Sequence, residues 1–126
     1  MININEIGFM AKSASKAIGV ASTATKNDAL KIAAYEIIER TDKILKANHE
    51  DLLNAKTKDL PSAMLDRLML NTQRLEYLSQ SIINIANQED PIGCILSEWQ
   101  QPTGLTIKKV TTPIGVIGVI YESRPN

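Results

Sequence analysis

The apolar run Pro113-Ile114-Gly115-Val116-Ile117-Gly118-Val119-Ile120, followed at once by the polar stretch Tyr121-Glu122-Ser123-Arg124-Pro125-Asn126, constrains this chain more than any other feature. Val116, Ile117, Val119 and Ile120 are β-branched and show no polar alternation, which is the pattern of a strand covered on both faces. Such strands sit inside parallel sheets, so the run predicts a buried strand carrying a polar, site-like tip. On that reading the sequence is the front part of a larger enzyme. Gly115 and Gly118 remove side chains at three-residue spacing, as happens where a strand bends or another backbone or ligand comes close. Their spacing is not that of the Gly-x-Gly-x-x-Gly loop of dinucleotide sites, which lies between a strand and a helix start.

Length and charge set the outer limits. A chain of 126 residues buries one modest core, at about 60 to 70 per cent of its unfolded surface. Lysine plus arginine equals aspartate plus glutamate, 14 of each, so no basic field concentrates nucleic acid or holds the chain on an anionic membrane. Met1-Ile2-Asn3-Ile4-Asn5-Glu6 lacks the basic start and apolar core of a secretory signal, and no stretch approaches the about 20 apolar residues of a membrane span. One cysteine makes no internal disulfide. A cytoplasmic location is the expectation.

Along its length the chain divides into a helical first two thirds and a β-rich last third, changing at Asp90-Pro91-Ile92-Gly93. Ile7, Met10, Ala14, Ala17, Ile18 and Ala21 form a helical stripe. Thr25 and Asp28 predict the start of a second helix carrying Leu30, Ala33, Ile37 and Ile44 inward. Asn48, ahead of Glu50 and Asp51, predicts a new helix start. Leu60-Pro61-Ser62 punctuates, Ser62 caps a short helix with Met64, Leu65 and Leu68, and Thr72 opens the strongest pattern, Leu75, Leu78, Ile82, Ile85 and Ala86. Residues 94–99 and 105–112 alternate weakly, with a hairpin linker at Gln100-Gln101-Pro102-Thr103-Gly104.

The stretch PIGVIGVIYESRPN resembles gamma-glutamyl phosphate reductase (glutamate-5-semialdehyde dehydrogenase), of the aldehyde dehydrogenase superfamily, just ahead of the part that completes its nucleotide domain. Upstream, Ser62-Ala63-Met64-Leu65-Asp66-Arg67-Leu68 resembles that family's SxAMxDRL element, and Lys46-Ala47-Asn48 with Asp51 and Ala55 resembles its helical NAxD stretch. Asp90-Pro91-Ile92-Gly93 and Pro102-Thr103-Gly104-Leu105-Thr106-Ile107 fall in family order. The resemblance implies an aldehyde dehydrogenase-like α/β parent fold. Of that fold, 1–90 would be a helical N-terminal segment, 91–112 a β-ribbon that packs a dimer, and 113–126 the first buried strand of the NADP-binding and catalytic domain. It implies NADPH as cofactor in the complete enzyme, not bound by this portion alone, and glutamate 5-phosphate as substrate. The partners it implies are a homo-oligomer or a full-length subunit, with no nucleic acid and no membrane.

In that family a thiolate attacks the acyl phosphate, phosphate leaves, and NADPH delivers hydride to the thioester. The chemistry needs an activated cysteine, donors for the oxyanion and a pocket beside the acyl carbon. Ligands of open α/β sheets gather at the carboxyl ends of strands, where the tip Tyr121 to Asn126 follows. The resemblance makes Asn126 the candidate oxyanion donor, with Tyr121, Glu122, Ser123, Arg124 and Pro125 as substrate- or cofactor-binding residues. Arg124 is the alternative contact, pairing bidentately with carboxylate or phosphate. The plain reading of the same residues is an Arg124 to Glu122 surface pair and a turn at Pro125-Asn126.

Cys94, between Gly93 and Ile95 and outside the family's nucleophile motif, reads as a small semi-buried hydrophobe. The catalytic cysteine is thus expected outside these residues. His49 reads as a solvated helix residue. Asp66 and Arg67 are adjacent on a helix and face apart, and Lys108-Lys109 reads as a solvated, guarded strand edge. Trp99 and Tyr121 are too few to stack bases. No metal is expected. Two functions remain open: part of an NADP-dependent reductase, or a catalytically silent module that associates with an intact subunit through Thr103 to Thr112.

Overall fold

The computed structural model describes residues 3–120. Five helices come first: α1 Ile4–Val20, α2 Thr23–Glu39, α3 Thr41–Thr57, α4 Ser62–Leu68 and α5 Thr72–Ala86. They are followed by β1 Ile95–Gln100 and β2 Thr106–Val110. Among the described residues, 3–23 with 89–118 form one compact unit and 24–88 with 119–120 a second.

The helical unit is built on small side chains. Its buried apolar residues are Ala34 of α2, Ala55 of α3, and Leu75 and Ala86 of α5. Three of the four are alanine, so few large side chains fill the centre. Leu75 and Ala86 belong to the predicted α5 stripe, Ile82 is half-buried, and Leu78 and Ile85 are exposed. Ser79 of α5 donates to the Ala34 carbonyl at 3.0 Å, fastening α5 to α2.

Several helix boundaries correct the sequence reading. α2 begins at Thr23, two residues ahead of the expected Thr25, and buries Ala34 rather than Ala33. It ends before Ile44, because the chain turns at Arg40. Asn48 does not start a helix; it lies inside α3, 5% exposed. α3 closes with a hydrogen-bonded reversal in which Asp59 donates to the Lys56 carbonyl and Leu60 to that of Ala55. Asp59 takes φ 52° to make it, a conformation in which short polar side chains are tolerated. Pro61, not Ser62, then caps α4, its carbonyl accepting from Met64 and Leu65. Asn71 caps α5 by accepting from the Arg74 amide at 2.8 Å.

On α2, exposed Tyr35 sits beside Glu39, whose charge and hydrogen bond hold the phenol above its ordinary value of 10.0. The folded chain therefore keeps this proton where the unfolded chain has begun to lose it. That contribution is present below the ordinary tyrosine range and is lost as pH rises above it. Glu39→Gln is expected to lower the Tyr35 midpoint in a tyrosinate absorbance titration with Tyr77 and Tyr121 changed to Phe. An unchanged midpoint would contradict the contact.

The ribbon unit holds the antiparallel pair β1 and β2, in register Trp99↔Ile107 and Glu98↔Lys108, with an irregularity between Ile95 and Ser97. The turn is closed by Gln101 donating to the Leu105 carbonyl at 2.8 Å and Gly104 to that of Gln101 at 2.9 Å. Gly104 has φ 87°, which glycine adopts without a Cβ clash.

The run at 113–120, read from sequence as a strand suited to burial on both faces, has no neighbours to pair with among the described residues. These residues belong to no strand, and Ile114 is 87% exposed, Val119 72% and Ile120 103%. A strand apolar on both faces is stable only between ladder neighbours and covering layers, and the described residues offer it none. Extended, uncharged apolar backbone favours edge pairing. The chain is therefore expected to self-associate with rising concentration in sedimentation velocity, and Ile117→Lys to reduce that association. A concentration-independent monomer for the natural sequence would contradict this.

Candidate functional site

The segment that leads to the candidate site starts from a hydrogen-bonded clasp at the base of the ribbon. In the turn at Asp90 to Gly93, one carboxylate oxygen of Asp90 accepts from the Ile92 amide at 3.1 Å. The other accepts from the Thr23 hydroxyl at 2.9 Å. Gly93, at φ 83°, reverses the chain into β1. Its amide donates to the Thr111 carbonyl at 3.1 Å, and the Thr111 amide donates to the Cys94 carbonyl at 3.0 Å. The Thr111 hydroxyl accepts from the Cys94 amide at 2.9 Å and donates to the Pro91 carbonyl.

Beyond the clasp the chain passes Pro113, whose ring lies 3.7 Å from where a Cβ on Gly19 of α1 would stand. It then runs exposed to Ile120. Tyr121, Glu122, Ser123, Arg124, Pro125 and Asn126 lie outside the described residues.

The other candidates fall at separate places. Cys94 is half-buried, its Sγ 3.8 Å from the Asp90 carbonyl oxygen. There the thiol is placed as a weak donor to a backbone carbonyl. His49 is exposed on α3. Lys108 reaches Glu98 across the ribbon at 3.1 Å; with both side chains half-exposed the pair contributes at most about 1 kcal/mol. Lys109 faces Ser97 in register. Among the described residues no group of three His, Cys, Asp or Glu side chains converges as metal ligands, and no helix is long and apolar enough to cross a membrane.

The two helical family signatures meet around Asn48 and Arg74. Asn48 Nδ2 donates to the Leu68 carbonyl at 2.9 Å, and its Oδ1 accepts from the Leu70 amide at 2.7 Å. Asp66 pairs with Arg74 of α5 at 3.2 Å rather than with Arg67. Arg74 also donates to the carbonyls of Asp66 and Met69. The NAxD-like and SxAMxDRL-like stretches thus form one structural knot. The sequence marked Asp90 only as the start of the Asp-Pro-x-Gly turn, and it gave Thr111 and Arg74 no role.

No protein-family model matches the chain. It is 46% identical over 98% of its length to the gamma-glutamyl phosphate reductase of Bartonella henselae. To those of Clostridium novyi and Brucella suis biovar 1 it is 42% and 46% identical over 96%. The chain spans 29% to 30% of these relatives' own length. The crystal structure of gamma-glutamyl phosphate reductase from Thermotoga maritima superposes with a TM-score of 0.81 at 31% identity, covering 82% of this chain and 25% of that one. The helices and two-stranded antiparallel ribbon are thus a segment of a reductase fold. Along nearly all of its length the chain is homologous to part of gamma-glutamyl phosphate reductase.

Proposed function

We propose that these residues are the amino-terminal part of a gamma-glutamyl phosphate reductase with an aldehyde dehydrogenase-like α/β fold. That enzyme reduces L-glutamate 5-phosphate to L-glutamate 5-semialdehyde with NADPH in proline biosynthesis, in the cytoplasm. Residues 1–90 act as helical scaffold, 91–112 as the ribbon for oligomer assembly, and 113–126 as the entry to the NADP-binding and catalytic domain. The observation carrying this reading is the 42% to 46% identity maintained over 96% to 98% of the chain.

Within the reaction, NADPH supplies the hydride, and a thiolate outside these residues attacks the acyl carbon. What this chain contributes is one wall of the pocket. Asn126 donates its side-chain N–H to the oxygen that becomes negative as the thiolate adds, and Arg124 holds an anionic group of the substrate. Tyr121, Glu122, Ser123 and Pro125 complete that wall.

A second reading, association with an intact subunit, is favoured by the ribbon itself. A two-stranded hairpin is marginally stable alone, and Leu96, Trp99 and Leu105 are exposed on it. Exchanging residues 1–126 for the matching segment of the Bartonella henselae enzyme separates the two. The exchanged enzyme is expected to reduce NADP with semialdehyde and phosphate within about tenfold of its parent, a loss of no more than about 1.4 kcal/mol of transition-state stabilisation. The 126-residue chain alone is expected to show no turnover. A folded but inactive exchange would overturn the reductase reading.

A further inference from the structure

We infer that Thr111 is a positioning residue, whose hydroxyl fixes the point at which the chain leaves the ribbon and so sets the starting register of the run that carries Arg124 and Asn126. The inference rests on the reductase reading, and it begins from an accounting of hydrogen bonds. Past Ile95 and Val110 the ribbon continues for one more pair through the backbone of Thr111, which bonds to Gly93 and Cys94. The Cys94 amide finds its acceptor in the Thr111 side chain, and the Pro91 carbonyl finds its donor there. One hydroxyl therefore joins the turn before β1 to the residue after β2. The same turn is tied to Thr23 through Asp90, and Pro113 follows two residues later against Gly19.

Among the described residues no ladder holds 114–120, and within that set the clasp is the last hydrogen-bonded point before them. A sheet that receives this run fixes its lateral place. Its position along the strand direction follows from where it is anchored, and a shift of one residue moves every side chain by about 3.3 Å and turns it to the other face. Catalytic donors lose effectiveness on displacements of about 1 Å, so an anchor remote from the chemistry governs rate. Serine retains the donor and the acceptor. Valine, of similar shape, retains neither and leaves Cys94 and Pro91 unpaired.

The test uses the segment-exchanged reductase carrying Thr111, Thr111→Ser or Thr111→Val. Thr111→Val is expected to lower kcat by about tenfold to a hundredfold with KM for NADP within about twofold, while Thr111→Ser stays within about twofold of the threonine form in both, differences of about 0.4 kcal/mol. A kcat for Thr111→Val within that same margin, or an equal loss in Thr111→Ser, would overturn the inference. Inactivity of the folded threonine form would instead sink the reductase reading, and the inference with it. Amide exchange in the 126-residue chain reads the clasp without catalysis. Thr111→Val is expected to speed exchange of the Cys94 amide at least tenfold and Thr111→Ser to leave it slow; equal rates in all three forms would overturn the inference.

Discussion

Asn126→Ala in the segment-exchanged reductase is expected to lower kcat by about a hundredfold to a thousandfold, the loss that follows removal of one oxyanion-hole donor. The side-chain amide is asked to do little while the substrate carbonyl is neutral. In the proposed role its hydrogen bond would strengthen as the thiolate adds and the oxygen becomes negative, so its loss is expected to fall on the transition state and to leave KM nearly unchanged. Arg124→Ala separates the two candidate roles. An arginine that binds a carboxylate or phosphate of the substrate acts before the chemistry, so its removal is expected to raise KM for the semialdehyde or phosphate about tenfold or more. The pattern is read by steady-state kinetics in both substrates. If Asn126→Ala raised KM and spared kcat, and Arg124→Ala did the reverse, the two residues would exchange roles.

The largest effect on stability is expected at Asn48. Its side chain is nearly fully buried in α3 and satisfies both the Leu68 carbonyl and the Leu70 amide, the backbone that joins α4 to α5. Alanine removes both partners at once. Leaving a buried donor or acceptor unpaired costs about 1–3 kcal/mol each, so Asn48→Ala is expected to destabilise the helical unit by about 2–4 kcal/mol. In a unit whose interior is mainly alanine, little apolar burial stands in reserve. The measurement is the urea midpoint followed by far-ultraviolet circular dichroism, with Asn54→Ala on the exposed face of α3 as control, expected within about 0.5 kcal/mol of the natural chain. Equal midpoints for Asn48→Ala and Asn54→Ala would show that the buried amide contributes nothing.

These two residues also mark what can be read from sequence and what cannot. The α5 stripe was legible because a helix packed on one side repeats its apolar residues every three or four positions, and Leu75 and Ala86 are indeed buried. The ribbon was legible through its turn, since glycine at 104 permits a conformation other residues resist. Asn48 misled because asparagine ahead of acids is chemically apt for a helix start. What places it within a helix is a pair of backbone groups about twenty residues downstream, and local composition carries no signal for such a partner. Thr111 was invisible for the same reason, its partners lying 17 and 20 residues away. The run at 113–120 shows the opposite case. Its composition states what environment it suits, and the described residues do not provide that environment. The tip 121–126 was singled out by its place after that run and by resemblance, and it lies outside the described residues.

If the reductase reading is right, Cys94, the one cysteine of the chain, is a packing residue and the reactive sulfur comes from elsewhere. Cys94→Ser in the segment-exchanged reductase tests this most directly, through kcat/KM for semialdehyde-dependent NADP reduction. The expected value is within about twofold of the cysteine form, a difference of about 0.4 kcal/mol. A loss of about ten-thousandfold or more, the scale on which removal of a nucleophile acts, would contradict it.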